Sequence, residues 1–473
     1  MTDEYDLIVL GGGPVGENVA DRAVQGGLTA VIVESELVGG ECSYWACMPS
    51  KALLRPAQAL RAAQHVRGAA EAVTGRLDVD AVLARRDSFT SDWSDDGQVR
   101  WLESAGIDLV RGHGRLSGER EVTVTDADGS TRVLRARHAV AVSTGSDAVI
   151  PPIEGLAEAA PWTSREATSA ERVPESLAII GGGVVAVEMA TAYAALGSVV
   201  TLIARGDLLG GMEPFAGERV AAGLAELGVD VRTGTGTASV QRGDDGVVIT
   251  LSDGSTVEAS EVLVATGRAP RSEDIGIEVA GLEPGRWIET DDTLRVPGVD
   301  WLYAVGDVNG RVLLTHQGKY QARAAGDVIA ARAKGERIDD AAWGRHVATA
   351  DAAAAPQVTF SSPEVASVGL TEKAARDAGV DVRVVDYDLG WVAGASLYED
   401  GFEGQARLVV DAARDVVVGA TFVGPEVAEL VQTATLAIVG EVPIARLWHA
   451  VPAYPTVSEV WLRLLEGYGR DSA

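Results

Sequence analysis

At 473 residues the chain is too long for a single core, which stops growing near ~250 residues, so about three domains are expected; 47% hydrophobic and 23% charged content is ordinary for a globular protein. The net charge of −29 argues against nucleic acid and anionic membrane surfaces as partners, and no apolar run reaches the ~18 residues of a membrane span. Two cysteines cannot make a secreted disulfide framework, and the six histidines show no ligand-like spacing near them, so no metal site is expected. The acidic opening segment MTDEYDLIVLGGG lacks the basic start of a signal peptide, and a cytoplasmic location is expected.

In chain order, YDLIVLGGGPVGENVADRAVQGGLTAVIVES (5–35) reads as strand, glycine turn, helix, strand. Residues from about 52 to 105 are rich in Ala and Arg and read as helical. Residues from about 107 to 145 alternate apolar and polar, with Asp128–Gly129 at a hairpin turn. SLAIIGGGVVAVEMATAYAALGSVVTLIAR (176–205) repeats the first plan, and GVVITLSDGSTVEASEVLVATG (246–267) repeats the meander. After about residue 345 antiparallel strands and closing helices follow, with ATADAAAAP (348–356) as a linker. The fold class is α/β, with two Rossmann-like nucleotide-binding domains and a C-terminal α+β domain.

Gly11, Gly13 and Gly16 form GxGxxG between the first strand and the helix. Gly11 permits the tight turn, Gly13 lets the backbone approach a pyrophosphate, and Gly16 allows close helix–strand packing. Glu34 ends the next strand, where an acid can hold a ribose hydroxyl. The second version is Gly181, Gly183 and Ala186. There the ribose-binding acid position holds Ala204, followed by Arg205, which favours the 2′-phosphate of NADPH over NADH; the other reading of Arg205 is a solvated surface arginine.

The segment GGECSYWACMPSK (39–51) carries the only cysteines, Cys42 and Cys47. On a regular helix, residues five apart lie ~140° apart, so the two sulfurs meet only where the helix start is distorted. Gly39, Gly40 and Pro49 favour such a distortion, and a helix N-terminus favours a thiolate. Two readings remain on residues alone, a redox pair and two buried structural cysteines.

Taken in order, these motifs resemble the FAD-dependent pyridine nucleotide–disulfide oxidoreductases, the family of dihydrolipoamide dehydrogenase, glutathione reductase and mercuric reductase. The resemblance covers nearly the whole chain and includes GGxCxxxxCxPSK, ATGRxP at 265–270 and the Gly306–Asp307 turn. It implies an FAD domain over 1–150 and 271–347, an NAD(P) domain over 151–270 and a dimerisation domain over 348–473. It implies that Cys42 attacks substrate, that Cys47 faces the flavin, and that Lys51 beside the flavin pairs with Glu188. FAD contacts are implied at Glu34, Gly40, Lys51, Gly114, Thr144, Gly145 and Asp307, and NADP contacts at Glu188, Arg205 and Gly267. A homodimer sharing its active site across the interface is also implied. Electrons would pass from NAD(P)H through FAD to the Cys42–Cys47 disulfide and on to a small-molecule disulfide or other acceptor.

One departure stands out. Where the family carries HPTxxE, this chain has Tyr454, Pro455, Thr456, Val457, Ser458 and Glu459. An imidazole of pKa ~6.5 both takes and gives a proton at neutral pH, whereas a phenol of pKa ~10 is a poor base. His449, five residues upstream, is an alternative base if the intervening turn folds it back; the other reading is a surface or packing histidine. Mercuric reductases resemble this chain in carrying Tyr there, but they need a C-terminal cysteine pair; no cysteine follows Cys47, which also argues against the large thioredoxin reductases. Two functions follow: a disulfide reductase with an altered proton donor, or a diaphorase-like reductase of quinones, metal ions or other acceptors.

Overall fold

The computed structural model describes residues 3–470. By packing, the chain divides into two compact units. The first holds the residues up to Pro49, Asp87–Val149 and Gly267–Ala352; the second holds Ser50–Arg86, Ile150–Thr266 and the residues from Ala353 on.

The first unit is built on β1 (Asp3–Leu10), which pairs in parallel with β2 (Ala30–Glu34). Strands β3 (Asp108–Arg111), β4 (His113–Gly118), β5 (Glu121–Thr125) and β6 (Thr131–Val142) complete the order β3-β2-β1-β6-β5-β4. A further strand, Leu302–Ala304, runs parallel to β6. Strand β1 is buried on both faces, because alternate residues point to opposite sides and each side is covered. Leu7 and Val9 pack with Val19, Ala20 and Ala23 of α1 (Pro14–Gln25) and with Ala322 and Val328 of the Thr315–Ala333 helix. Ile8 and Leu10 face Val122, Val124 and Leu134 of the meander. The continuous apolar run in the sequence is the signature of that double burial.

The second unit repeats the motif. Strands β7 (Ser176–Ile180), β8 (Val199–Ile203), β9 (Asp230–Arg232) and β10 (Glu261–Val264) form a parallel sheet in the order β9-β8-β7-β10. Residues Ala186–Tyr193 of the helix Val184–Ala195 are all buried. The residues from Ala353 on supply a five-stranded antiparallel sheet: β11 (Gln357–Thr359), β12 (Glu364–Gly369), β13 (Val382–Asp388), β14 (Gln405–Asp411) and β15 (Val416–Gly424). Their order is β11-β12-β15-β14-β13, and every residue of the central β15 is buried.

Two stretches differ from the expectation. Residues 50–86 pack with the second unit although they lie inside the range 1–150. Leu53, Leu54 and Val82 join the core around Val187 and Leu202, and the buried Arg86 donates to the carbonyls of Thr168 and Ala170. The stretch 348–356, read as a linker, contains a tethered carboxylate. Asp351 accepts from Gln317 Nε2 at 2.8 Å, Gln321 Nε2 at 3.0 Å and Arg311 Nε at 2.8 Å. A buried carboxylate needs such donors, so this segment is anchored.

Among the described residues, no helix is long and apolar enough to cross a membrane. In β15, Phe422 is 0% exposed with its ring centroid 5.9 Å from that of Trp461. Phe422→Ala should therefore cost about 3–5 kcal/mol. The check is the urea midpoint followed by tryptophan fluorescence; an unmoved midpoint would show that this cluster does not hold the C-terminal sheet.

Candidate active site

The first glycine turn brings two stretches of main chain into contact. A Cβ at Gly16 would lie 2.0 Å from the carbonyl oxygen of Gly11, and one at Gly11 would lie 2.5 Å from that of Ser143. Only glycine fits at both places, and Gly11 also has φ +99°, in the left-handed region. The N-terminus of α1 follows, with Gly13 at its cap and no side chain satisfying its amides. It opens on a cavity of about 580 Å³, a size suited to a bound cofactor.

Gly11, Gly13, Glu34, Gly40 and Gly114 line this cavity. Gly16 packs behind it. Glu34 Oε2 accepts from the amide of Gly12 and Oε1 from that of Glu36, each at 2.7 Å, so the carboxylate is held at the end of β2. Thr144, Gly145 and Asp307 line the other end. Asp307 Oδ2 accepts from Ser146 Oγ at 2.7 Å, and Arg268 Nε donates to that same hydroxyl at 2.6 Å. Gln321 supports the turn from behind, accepting at Oε1 from the amide of Gly306 at 2.8 Å. Ser146, Arg268 and Gln321 were not among the expected site residues. Arg268 was visible in ATGRAP as a motif position, but the other two carry no local signal.

The cysteine segment is a broken helix. α2 (Gly40–Tyr44) stops at Trp45, with φ −136°, and α3 (Cys47–Gln64) starts at Cys47. The break places the Cys42 thiol in hydrogen-bond contact with Cys47; both stand as thiols here. Thr315 Oγ1 lies 3.4 Å from Cys47 Sγ and also hydrogen-bonds Cys42. The contact with Cys47 pushes the Cys42 thiol up most strongly, burial adds to it, and Thr315 and Lys319 pull the other way. Cys42 and Thr315 both line the cavity. Thr315 begins the helix Thr315–Ala333 and stands 268 residues from Cys47 in the chain, so only the fold reveals it.

In the second unit, the turn at Gly181 repeats the close approach, since a Cβ there would lie 2.2 Å from the carbonyl oxygen of Ala265. Nothing stands within 4 Å of a Cβ built on Gly183, and Ala186 is fully buried against the sheet. Arg205 is exposed just beyond the end of β8, without an ion-pair partner among the described residues. Gly267 belongs to the first unit, where its carbonyl accepts from the amide of Val149 at 3.0 Å. Lys51 Nζ lies 2.8 Å from Glu188 Oε2, and Glu188 Oε1 accepts from the amide of Phe360 at 3.0 Å. The carboxylate is 3% exposed, so both of its oxygens find donors, as burial demands. The ammonium also sits 5.1 Å from the centroid of the Phe360 ring.

At the C-terminal end Tyr454 is 76% exposed, while Glu459 is buried and its Oε2 has no hydrogen-bond partner among the described residues. Arg463 approaches Glu459 Oε1 at 3.6 Å. The fold does not join Tyr454 to Glu459 by a hydrogen bond within the chain. His449 is exposed.

The residues of the first unit fit a flavin dinucleotide. A cradle of glycines that a Cβ would fill, an uncapped helix N-terminus for a pyrophosphate and a held acid for a ribose converge on one cavity. Among the described residues no cluster of His, Cys, Asp and Glu could hold a metal ion.

Comparison with known proteins agrees with this geometry. The dihydrolipoyl dehydrogenase of Chlorobaculum tepidum is 33% identical, covering 97% of this chain and 96% of the relative. The mercuric reductase of Acidithiobacillus ferrooxidans is 32% identical, covering 99% of this chain and 83% of the relative. Two solved structures share the fold with a TM-score of 0.83. One is the Cu(II) complex of a HOCl-induced flavoprotein disulfide reductase from Escherichia coli, at 21% identity and covering 98% of this chain and 99% of that one. The other is LpdA from Mycobacterium tuberculosis, at 24% identity and covering 99% of this chain and 100% of that one. The family model for pyridine nucleotide-disulphide oxidoreductases matches residues 5–326, and the model for their dimerisation domain matches 355–464. With the relatives, these matches show that the chain belongs to the pyridine nucleotide–disulphide oxidoreductase family, as an FAD- and NAD(P)-dependent enzyme with a dimerisation domain.

Proposed function

We propose that the chain takes electrons from NADPH and delivers them through Cys42 and Cys47 to a small-molecule disulfide substrate. The observation that carries this reading is the dithiol itself. The two sulfurs are in hydrogen-bond contact, with Cys42 at the wall of the flavin-type cavity and Thr315 as a shared hydroxyl partner. FAD, when bound, converts a two-electron hydride donor into a reductant for the sulfurs. The chain's own groups do the rest. Glu34 and the N-terminus of α1 hold the adenosine end, and Asp307 with its Ser146 and Gln321 supports holds the ribitol end. Lys51 and Glu188 form a fixed ion pair within the second unit.

Cys42 is the thiol that meets substrate. As a thiolate it attacks a substrate sulfur, the substrate S–S bond breaks, and the leaving sulfur takes a proton. Cys47 then attacks Cys42 in the mixed disulfide, releases the second thiol of the substrate and closes the Cys42–Cys47 bond. In this reading 1–150 and 271–347 hold FAD, 151–270 holds the nicotinamide nucleotide, and 348–473 forms a homodimer that completes each site. The acidic composition and a thiol chemistry suited to a reducing compartment support a cytoplasmic setting.

A second reading is favoured by one observation. Tyr454 stands where the family carries its imidazole, and Glu459 Oε2 has no hydrogen-bond partner among the described residues. With a phenol as proton donor, quinones or metal ions become competitive acceptors, because they need no protonated leaving thiol.

Four outcomes test these assignments. Anaerobic titration with NADPH should raise a long-wavelength absorption band from Cys47 against the flavin. Cys42→Ser should abolish disulfide reduction and spare quinone reduction; disulfide turnover that survives this change removes the dithiol as the outlet. Tyr454→His should raise turnover of lipoamide or glutathione disulfide by about 10²-fold, the scale of one added acid–base group. Arg205→Glu should lower the NADPH-to-NADH ratio of kcat/KM at least about tenfold, or ~1.4 kcal/mol; an unchanged ratio makes Arg205 a surface arginine.

A further inference from the structure

Asp351 stands in the alanine-rich stretch 348–356 and does not line the cavity, yet it anchors a buried network that ends on the cavity wall. The whole network lies within the first unit. Gln317 Nε2 donates to Asp351 Oδ1 at 2.8 Å, and Gln321 Nε2 and Arg311 Nε donate to Oδ2 at 3.0 and 2.8 Å. The other end of Gln321 turns to the main chain. Its Oε1 accepts from the amide of Gly306 and from Asn309 Nδ2, each at 2.8 Å. Asn309 Nδ2 also donates to the carbonyl of Ala304 at 3.1 Å, and its Oδ1 accepts from the amide of Arg311 at 3.0 Å. Gln321 is 0% exposed, so water does not stand in for its partners. Gly306 and Asp307, where the network ends, both line the cavity.

Gly306 has φ +81° and ψ −157°, a conformation open to glycine and therefore weakly restrained by the residue itself. Its restraint comes from the Thr315–Ala333 helix. A Cβ built on Gly318 would lie 3.3 Å from the Cα of Gly306, and this close approach brings Gln321, three residues on, within reach of the turn. Gln321 can hold Gly306 only with its oxygen toward the turn. Half a rotation of the amide would set NH₂ against the Gly306 N–H, donor against donor. Asp351 excludes that state. A carboxylate paired with Arg311 accepts and does not donate, so Gln321 meets it with its NH₂ and leaves the oxygen facing Gly306.

We propose that Asp351 is a positioning residue for FAD: by fixing the orientation of the Gln321 amide, it holds the Gly306–Asp307 turn in place for the ribitol end of the cofactor. The inference rests on the reading that Asp307 binds FAD. It gives a stretch whose composition suggests a linker a part in cofactor binding. The segment is itself held in register for this task. Tyr320 Oη donates to the carbonyl of Val347 and accepts from the amide of Ala350, each at 3.3 Å, and the amide of Ala348 donates to the carbonyl of Asp292 at 2.9 Å.

The test reads cofactor retention and not turnover. Holoenzyme is diluted over a range of concentrations and free FAD is separated by ultrafiltration, which gives the Kd; tryptophan fluorescence checks that each variant is folded. Asp351→Ala and Gln321→Leu should each raise the Kd about tenfold, the order of one lost buried hydrogen bond. Because Asp351 acts through Gln321, the double variant should also be about tenfold weaker, where independent effects would give about a hundredfold. Gln321→Glu keeps the shape and the contacts to Gly306 and Asn309 but sets a second carboxyl against Asp351, with Arg311 as the cation beside them. The two carboxyls share a proton at low pH and lose it as pH rises. The ratio of this variant's Kd to the native value should therefore climb at least about tenfold between about pH 6 and 9. A native Kd in Asp351→Ala, additive effects in the double variant, or a ratio for Gln321→Glu that ignores pH each overturns the inference; if Asp351→Ala does not fold, that ratio decides alone. Asp307→Ala separates the two levels. If it sheds FAD while Asp351→Ala retains it, this inference alone fails; if Asp307→Ala keeps the native Kd, the reading of Asp307 fails beneath it.

Discussion

The structure of the first unit hangs on one steric constraint, the contact of main chain with main chain at Gly11 and Gly16. A Cβ at Gly16 would stand 2.0 Å from the Gly11 carbonyl oxygen, and Ser143 Oγ donates to that same oxygen at 2.9 Å. The glycines let α1 start against the end of β1 with its first amides turned outward. Any side chain at Gly16 would push the helix off the strand, and the cavity would lose its electropositive floor. The rest of the site is arranged around that floor: Glu34 tied by two amides, Asp307 tied through Ser146 and Gln321, and the broken helix that carries the thiols.

The broken helix is a second use of irregular backbone. A continuous helix from Gly40 to Gln64 would keep residues five apart on different faces. Stopping at Trp45 and restarting at Cys47 lets the sulfurs meet and puts Cys47 at a helix N-terminus. Thr315 then serves both sulfurs from a different helix. The electrostatics follow from burial. Two sulfurs in contact in a poorly hydrated place resist ionisation, so charge and hydroxyl groups nearby decide which sulfur carries the anion.

Much of this was legible in the sequence, and what was not shares a cause. The continuous apolar runs 7–10 and 177–180 are buried on both faces, as their composition requires. Glycine spacing placed both nucleotide turns, and the pairing of Lys51 with Glu188 followed from the family resemblance. Residues 50–86 were not legible as part of the second unit. Their Ala-rich helices look alike wherever they pack, and only Leu53, Leu54, Val82 and Arg86 say against what. The stretch 348–356 looked slack because alanine carries no tertiary signal, while Asp351 within it holds three donors.

By itself the sequence determined the α/β plan, the two dinucleotide turns, the cysteine pair and the missing imidazole. These are patterns within a few tens of residues, written by steric rules that act on neighbours along the chain. Only the tertiary structure decided that Thr315 touches both cysteines and that Asp351 gathers donors from Arg311, Gln317 and Gln321. Those relations join residues that stand at least 30 positions apart in the chain. Burial, which gives them their chemistry, does not exist until the chain folds.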